Sequence, residues 1–270
     1  MLTVADLLFH YKSIDFQLGP LNFSLEAGQF TVLAGKNGSG KTTTTRLIMS
    51  LEKPDGGEIL FQGKNITFAK TADKARHIGY VFQNPDLIFY QNTAWDEVSY
   101  GPRQLKFSPD KVKAVTEAAF AALELTGKEQ QNPKLMTKGE KQRLAIACAV
   151  ALQPDLLILD EPTCGQDMVF RTHLMELLKN FCRQGKAVLV ITHDRMVLEK
   201  YADRVIVIQG GSLVFDGEPL ELFRHNQALE WGLTLPVAAV LSQKLQEFGV
   251  VRTASLEELA QSIRAIRGNP

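Results

Sequence analysis

With 270 residues, 45% hydrophobic and 22% charged, the chain has enough apolar material for one large core or a domain plus an extension, and it is not a disordered scaffold. Lys plus Arg and Asp plus Glu both number 30, so the formal net charge is zero, which argues against a general nucleic-acid or lipid binder. No apolar run approaches the ~18 residues of a spanning helix; the longest, such as 144–152, reach about half of that. The opening Met-Leu-Thr-Val-Ala-Asp has neither a basic start nor an apolar export segment, so the chain is expected to stay in the cytosol. Cys148, Cys164 and Cys182 are odd in number and lack paired metal-ligand spacing, which reads as free thiols in a reducing compartment.

Residues 2–33 alternate apolar and polar positions with turn breaks, as in Leu7-Leu-Phe-His-Tyr11 and Asp15-Phe-Gln-Leu-Gly-Pro20. This predicts a short antiparallel strand region feeding an apolar strand at Phe30-Thr-Val-Leu-Ala34. The stretch from Ala34 to Arg46 reads A-G-K-N-G-S-G-K-T-T-T-T-R and fits G-x-x-x-x-G-K-[ST] at Gly35, Gly40, Lys41 and Thr42 without a mismatch. The competing reading is a Gly/Ser turn joining a strand to a helix. As a phosphate loop, its glycines let backbone N–H groups approach phosphate oxygens, and the following helix aims its positive end at the same anion. Gly35, Lys36, Asn37, Gly38, Ser39, Gly40, Lys41, Thr42 and Thr43 form the candidate cradle, with Lys41 reaching the β/γ-phosphates and the Thr42 hydroxyl taking a Mg²⁺ position. Tyr11 is either a half-buried strand aromatic or a ring for a base to stack on, a contact worth roughly 1–3 kcal/mol.

Further along, Lys53-Pro-Asp-Gly-Gly is a turn, Glu58-Ile-Leu-Phe-Gln a strand, and Ile78 to Phe82 another strand ending in Gln83-Asn-Pro-Asp86. Ser108-Pro-Asp opens a helix with Val112, Val115, Ala119 and Leu123 along one face. Leu156-Leu-Ile-Leu and Ala187-Val-Leu-Val-Ile are short, wholly apolar strands, as in a parallel sheet buried on both faces. Asp203-Arg-Val-Ile-Val-Ile and Ser212-Leu-Val-Phe form a late hairpin. Past Arg224, Val237, Val240, Leu241, Leu245 and Phe248 follow helical spacing up to Gly249, and Ser255-Leu-Glu-Glu258 caps a second helix bearing Leu256, Leu259, Ile263 and Ile266.

Leu156-Leu-Ile-Leu-Asp160-Glu161 delivers two carboxylates to the C-terminal edge of a strand, where ligands of open α/β sheets bind. Asp160 there can hold Mg²⁺ opposite Thr42, and Glu161 can polarise a water. Upstream, Met136-Thr-Lys-Gly-Glu-Lys-Gln-Arg143 resembles the L-S-G-G-Q-x-Q-R signature of ABC ATPases. Gln83 stands where that family has its Q-loop glutamine, Pro162-Thr-Cys-Gly-Gln-Asp167 looks like the D-loop, and His193 in I-T-H-D looks like the switch histidine, all in the family's order over residues 2–222. Singly, each has a plainer reading: Gln83 caps a turn, Asp167 caps a helix, His193 ends a strand, and Cys164 is a passive small residue.

The resemblance implies a P-loop NTPase fold of α/β class, with a mostly parallel core sheet, an antiparallel β subdomain and an α-helical subdomain at about 84–135. It implies a nucleotide-binding domain over 1–222 and a helical extension over 223–270, a candidate dimerisation element. ATP and Mg²⁺ are the implied cofactors. Two subunits face head to tail, and Thr137, Lys138, Gly139 and Glu140 of one meet the γ-phosphate held by the other, a task suited to a helix N-terminus. Tyr11 stacks on adenine; Thr42, Gln83 and Asp160 place Mg²⁺; Glu161 activates water; His193 contacts the γ-phosphate; Asp167 crosses the interface. Two features depart from the pattern. Lys138 replaces a glycine, so its side chain either turns outward or crowds the site, and Thr42-Thr-Thr-Thr45 puts a third and a fourth hydroxyl where leucine is usual.

Gln83-Asn-Pro-Asp86 with Thr93-Ala-Trp-Asp-Glu-Val-Ser-Tyr-Gly-Pro102 is similar to a stretch of the energy-coupling factor (ECF) importers, although Leu87-Ile88 departs from it. The tail from Gly232 resembles the extension of the same ATPases. This branch implies a peripheral subunit at the cytoplasmic face of the membrane, paired with itself or a paralogue, a transmembrane coupling subunit and a substrate-binding membrane subunit, importing a vitamin or transition-metal ion. The alternative is a soluble, non-transport ABC ATPase acting on nucleic acid or ribosomes. Such proteins commonly carry two ATPase domains or long basic insertions, neither of which is present here. Nothing in the sequence selects the solute.

Overall fold

The computed structural model describes residues 1–12 and 16–267. Asp15, within the stretch read as alternating strands, lies outside them. In chain order the elements are β1 (Leu2–His10), β2 (Gln17–Leu25), β3 (Phe30–Ala34), α1 (Lys41–Ile48), β4 (Gly56–Phe61), β5 (Lys64–Asn65), α2 (Thr71–Lys74) and β6 (Ile78–Val81). Then come α3 (Ala94–Gln104), α4 (Pro109–Ala122), α5 (Lys138–Ala151), β7 (Leu156–Asp160), α6 (Met168–Arg183), β8 (Ala187–Ile191) and α7 (Arg195–Lys200). The chain closes with β9 (Arg204–Gln209), β10 (Ser212–Gly217), α8 (Pro219–Arg224), α9 (Val237–Lys244) and α10 (Leu256–Arg267).

The elements form two sheets. A four-stranded antiparallel sheet has the order β2-β1-β4-β5, and a six-stranded sheet has the order β10-β9-β3-β8-β7-β6, parallel except for β10 at its edge. The wholly apolar runs behave as their composition demands, for β3, β7 and β8 are buried at every residue. One core cluster lies between the large sheet and helices α3 to α6, and a second joins the opposite side of that sheet to the antiparallel sheet. Helix α4 starts as predicted, with Ser108 Oγ accepting from Lys111 N at 3.3 Å and Val112, Val115 and Ala119 buried. Because β3 and β7 are neighbours of β8, their C-terminal ends open on the same sheet edge, where the phosphate loop and the Asp160-Glu161 pair meet.

The C-terminal helices exist, and their expected faces are buried in part: Leu259 of α10 is buried with Ile263 packed beside it, and Val240 and Leu245 pack partly against the core. In α9 the buried residues are Ala238, Ala239 and Ser242, while Val237, Leu241 and Phe248 are exposed. Ser242 is admitted to the interior because its hydroxyl donates to Ala239 O and accepts from Thr253 N, at 3.0 and 3.1 Å. The residues fully buried at the contact are small, and Val237, Leu241 and Phe248 are left outside. Val237 and Leu256 instead line an open cleft of about 600 Å³ with Leu220. Helix α8 crosses residue 222, and Ala228, Trp231, Leu233 and Leu235 belong to the main core, whereas Ala238, Val250 and Leu259 form a small cluster of their own.

Candidate functional site

The loop between β3 and α1 is shaped by two glycines at positions where any side chain would be strained. Gly35 has φ 137°, and a Cβ there would lie 2.1 Å from Ile208 O; Gly40 has φ 109°, and its Cβ would lie 2.4 Å from Leu18 Cδ1. Lys41 is the first residue of α1, and its Nζ donates to the carbonyls of Gly35 and Lys36, each at 2.8 Å. Burial lowers the pKa of this ammonium, and the carboxylates of Glu161 and Asp160 oppose that shift. Ser39 Oγ is buried in the loop without a hydrogen-bond partner, a polar atom that a phosphate oxygen would satisfy.

Each of the four threonines at the start of α1 has a partner. Thr42 Oγ1 donates to Asp160 Oδ2 at 2.7 Å, joining the loop to the end of β7. Thr43 Oγ1 meets the Tyr11 hydroxyl at 3.1 Å, and Thr44 Oγ1 donates to Gly40 O at 2.9 Å. Thr45 Oγ1 donates to Thr42 O at 3.0 Å, which leaves it to accept from the Tyr80 hydroxyl at 3.2 Å. The unusual run thus cross-links the start of α1 to β6, β7 and the residue that follows β1. Burial raises the pKa of Asp160, with the Thr42 bond opposing the shift.

Tyr11, Phe16, Asn37, Gly38, Gly40, Lys41, Thr42, Thr43, Gln83, Asp160 and Glu161 line a single cavity of about 350 Å³. Phe16 was not among the residues expected there; it sits beside Tyr11, with ring centroids 6.4 Å apart, and only its place in an alternating run hinted at burial. Glu161 follows β7 with φ 48°, an unfavourable backbone for a non-glycine residue, costing about 1–3 kcal/mol. A bond from Glu161 N to Ile191 O, at 2.9 Å, holds it there. Glu161 Oε1 lies 2.9 Å from His193 Nδ1, and Glu161 Oε2 accepts from Thr192 Oγ1 at 3.3 Å. His193, expected against a phosphate, therefore reaches Glu161, and Thr192 is a partner that the I-T-H-D string contained but did not single out.

Thr137, Lys138, Gly139 and Glu140 do not line this cavity. They begin α5, where Thr137 and Glu140 form a capping box: Thr137 Oγ1 accepts from Glu140 N at 3.3 Å and Glu140 Oε2 accepts from Thr137 N at 2.8 Å. The same carboxylate pairs with Lys128. The Lys128 bond, reinforced by the Thr137 amide, pulls the Glu140 pKa down to about 2. Within its own chain, then, Glu140 serves as the cap of its helix terminus. Lys138 is exposed and lays its stem beside Gly165, so the side chain turns toward the D-loop. Asp167 caps α6, accepting from Phe170 N at 2.9 Å, and that bond is the main reason its pKa is lowered.

The protein resembles ABC proteins in both sequence and structure. A putative ABC transporter ATP-binding protein from Methanosarcina mazei is 38% identical over 91% of this chain, which spans 42% of that relative. An energy-coupling factor transporter ATP-binding protein from Mycoplasma genitalium is 34% identical over 94% of this chain and 92% of its own. Among solved structures, cbiO1 from Clostridium perfringens, described as part of the ABC transporter complex cbiONQ, matches with a TM-score of 0.73 and 29% identity over 84% of this chain and 92% of that one. The ABC transporter family model matches residues 18–164, and the chain belongs to that family.

Proposed function

We propose that this chain is the ATP-hydrolysing subunit of an ECF-type importer. One observation carries the hydrolytic part: the phosphate loop, the Thr42–Asp160 pair and the Glu161–His193 pair converge at one sheet edge. Lys41 holds the β- and γ-phosphates, backbone N–H groups of 35–41 and the Ser39 hydroxyl surround them, and Tyr11 with Phe16 takes the adenine. Thr42, Gln83 and Asp160 offer only oxygen donors, which fits Mg²⁺. Bound there, the ion neutralises charge on the phosphate oxygens.

Glu161 takes the proton of the attacking water, and His193 and Thr192 keep its carboxylate aimed. The site closes when a second subunit, a copy or a paralogue, brings Thr137 to Gly139 against the γ-phosphate, with Glu140 acting as the cap of that turn rather than as a contact. ATP favours the closed dimer because the γ-phosphate gains these contacts only there, and hydrolysis reverses the shift. The importer part rests on likeness to the Mycoplasma genitalium and Clostridium perfringens proteins. Among the described residues no helix is long and apolar enough to cross a membrane, so a transporter role calls for membrane partners.

Glu161→Gln tests the chemistry: it is expected to accumulate an ATP-bound dimer, and hydrolysis at the wild-type rate would remove Glu161 as the base. Purification of the tagged chain from detergent-solubilised membranes tests the importer. Hydrophobic coupling and solute-binding subunits are expected alongside it, and recovery with nucleic acid or ribosomes instead would favour the soluble alternative.

A further inference from the structure

The signature turn and the D-loop are distant in sequence, yet a single buried amide ties them together. Gln166 is 7% exposed. Its Nε2 donates to Gly139 O at 2.9 Å, and its Oε1 accepts from Arg143 Nε at 3.2 Å, so both ends of the amide are engaged by α5. The backbones approach closely here, since a Cβ on Gly139 would lie 3.4 Å from Gly165 O. Arg143 extends the connection: its guanidinium lies 3.6 Å from the Phe170 ring centroid, donates to Glu124 Oε2 at 2.9 Å and stands 3.6 Å from Asp167 Oδ2. Arg171 Nε closes the other side by donating to Gln166 O at 3.1 Å.

We infer that Gln166 is a positioning residue that locks the signature turn, 137–140, and the D-loop, 163–167, of one subunit into a single rigid unit. The inference rests on the reading that ATP is enclosed between two subunits, to which both segments are presented. Two loops that move separately must each be ordered when the dimer closes, whereas a locked pair has lost that freedom beforehand. An apolar residue at 166 would leave Gly139 O and Arg143 Nε without these partners while filling similar space.

The test uses the full chain in a Glu161→Gln background, with and without Gln166→Leu. ATP-dependent dimerisation is followed by analytical ultracentrifugation, nucleotide binding to the monomer by a fluorescent ATP analogue, and amide exchange by mass spectrometry. Loss of the amide is expected to weaken dimerisation by roughly three- to tenfold, the range of one hydrogen bond's net worth. Monomer nucleotide affinity is expected to stay unchanged, and exchange is expected to rise together in 137–140 and 163–167. Gln166→Glu keeps the acceptor for Arg143 but sets an oxygen against Gly139 O; it is expected to show the same coupled rise in exchange and provides the measurement if the leucine variant does not fold. A dimer formed equally well with and without Gln166, or a rise in only one segment, overturns this inference alone. Absence of any ATP-dependent dimer in the Glu161→Gln parent overturns the enclosed-site reading and this inference with it.

Discussion

His193 Nδ1 lies 2.9 Å from Glu161 Oε1, across 32 residues of sequence, and joins the end of β8 to the end of β7. The adjacent strands β7 and β8 pair Asp160 with Ile191, so the residues that follow each strand emerge side by side. The carboxylate at a strained backbone position is thereby held from two directions, by His193 and by Thr192.

The first prediction concerns that pair. Glu161→Gln is expected to lower kcat by about 10²- to 10⁴-fold, the usual contribution of a positioned general base, with nucleotide affinity preserved. His193→Ala is expected to lower kcat by less, because Thr192 still holds Oε2. Single-turnover hydrolysis on preloaded ATP measures both; equal losses in the two variants would assign His193 a task beyond orienting the base.

Lys138 departs from the signature pattern, but its exposed side chain lies along Gly165. Lys138→Gly is therefore expected to alter turnover by less than about tenfold, or ~1.4 kcal/mol of barrier. Steady-state ATPase assays check this, and abolished activity would make the lysine a working part of the site.

The cap of α5 has a pH dependence whose sign follows from Glu140. Its pKa is lowered in the folded state from 4.5 to about 2, so the stability that it contributes is present above pH 4.5 and is lost as the pH falls toward 2. Glu140→Gln is expected to be less stable than wild type at neutral pH, with the gap narrowing steadily below pH 4.5. Urea midpoints measured at several pH values test this, and a gap independent of pH would mean that the carboxylate charge is not what caps the turn.

Tyr80→Phe removes the hydroxyl that meets Thr45 at 3.2 Å. Because Thr45 keeps its bond to Thr42 O, the expected loss is about 0.5–1.5 kcal/mol, one hydrogen bond's net worth. Thermal denaturation measures the loss, and KM for ATP is expected to stay within twofold or so. A large rise in KM would mean that the β6–α1 bridge shapes the nucleotide site itself.

Local order was legible before the fold. The spacing of Gly35, Gly40, Lys41 and Thr42, the unbroken apolar runs of β3, β7 and β8, and the capping signals at Ser108 and Ser255 act through neighbours a few residues away, so the string contains the whole interaction. The same holds for the order of the motifs, which was enough to assign the family. Contacts between segments far apart in the chain are different. Thr42 with Asp160, Tyr11 with Thr43, and Gln166 with Gly139 depend on the strand order β9-β3-β8-β7 and on the packing of α5 against the D-loop, which no local pattern encodes. Glu140 shows the limit most plainly: a capping box was implicit in Thr137 and Glu140, but Lys128, which holds the carboxylate there, comes from the segment after α4. Around α9 the apolar period marked Val237, Val240, Leu241, Leu245 and Phe248, of which Val240 and Leu245 pack in part, yet Ala238, Ala239 and a hydrogen-bonded Ser242 are the residues fully buried. Helical periodicity counts hydrophobic residues, whereas packing selects for fit and for satisfied polar groups, and only the tertiary structure contains both.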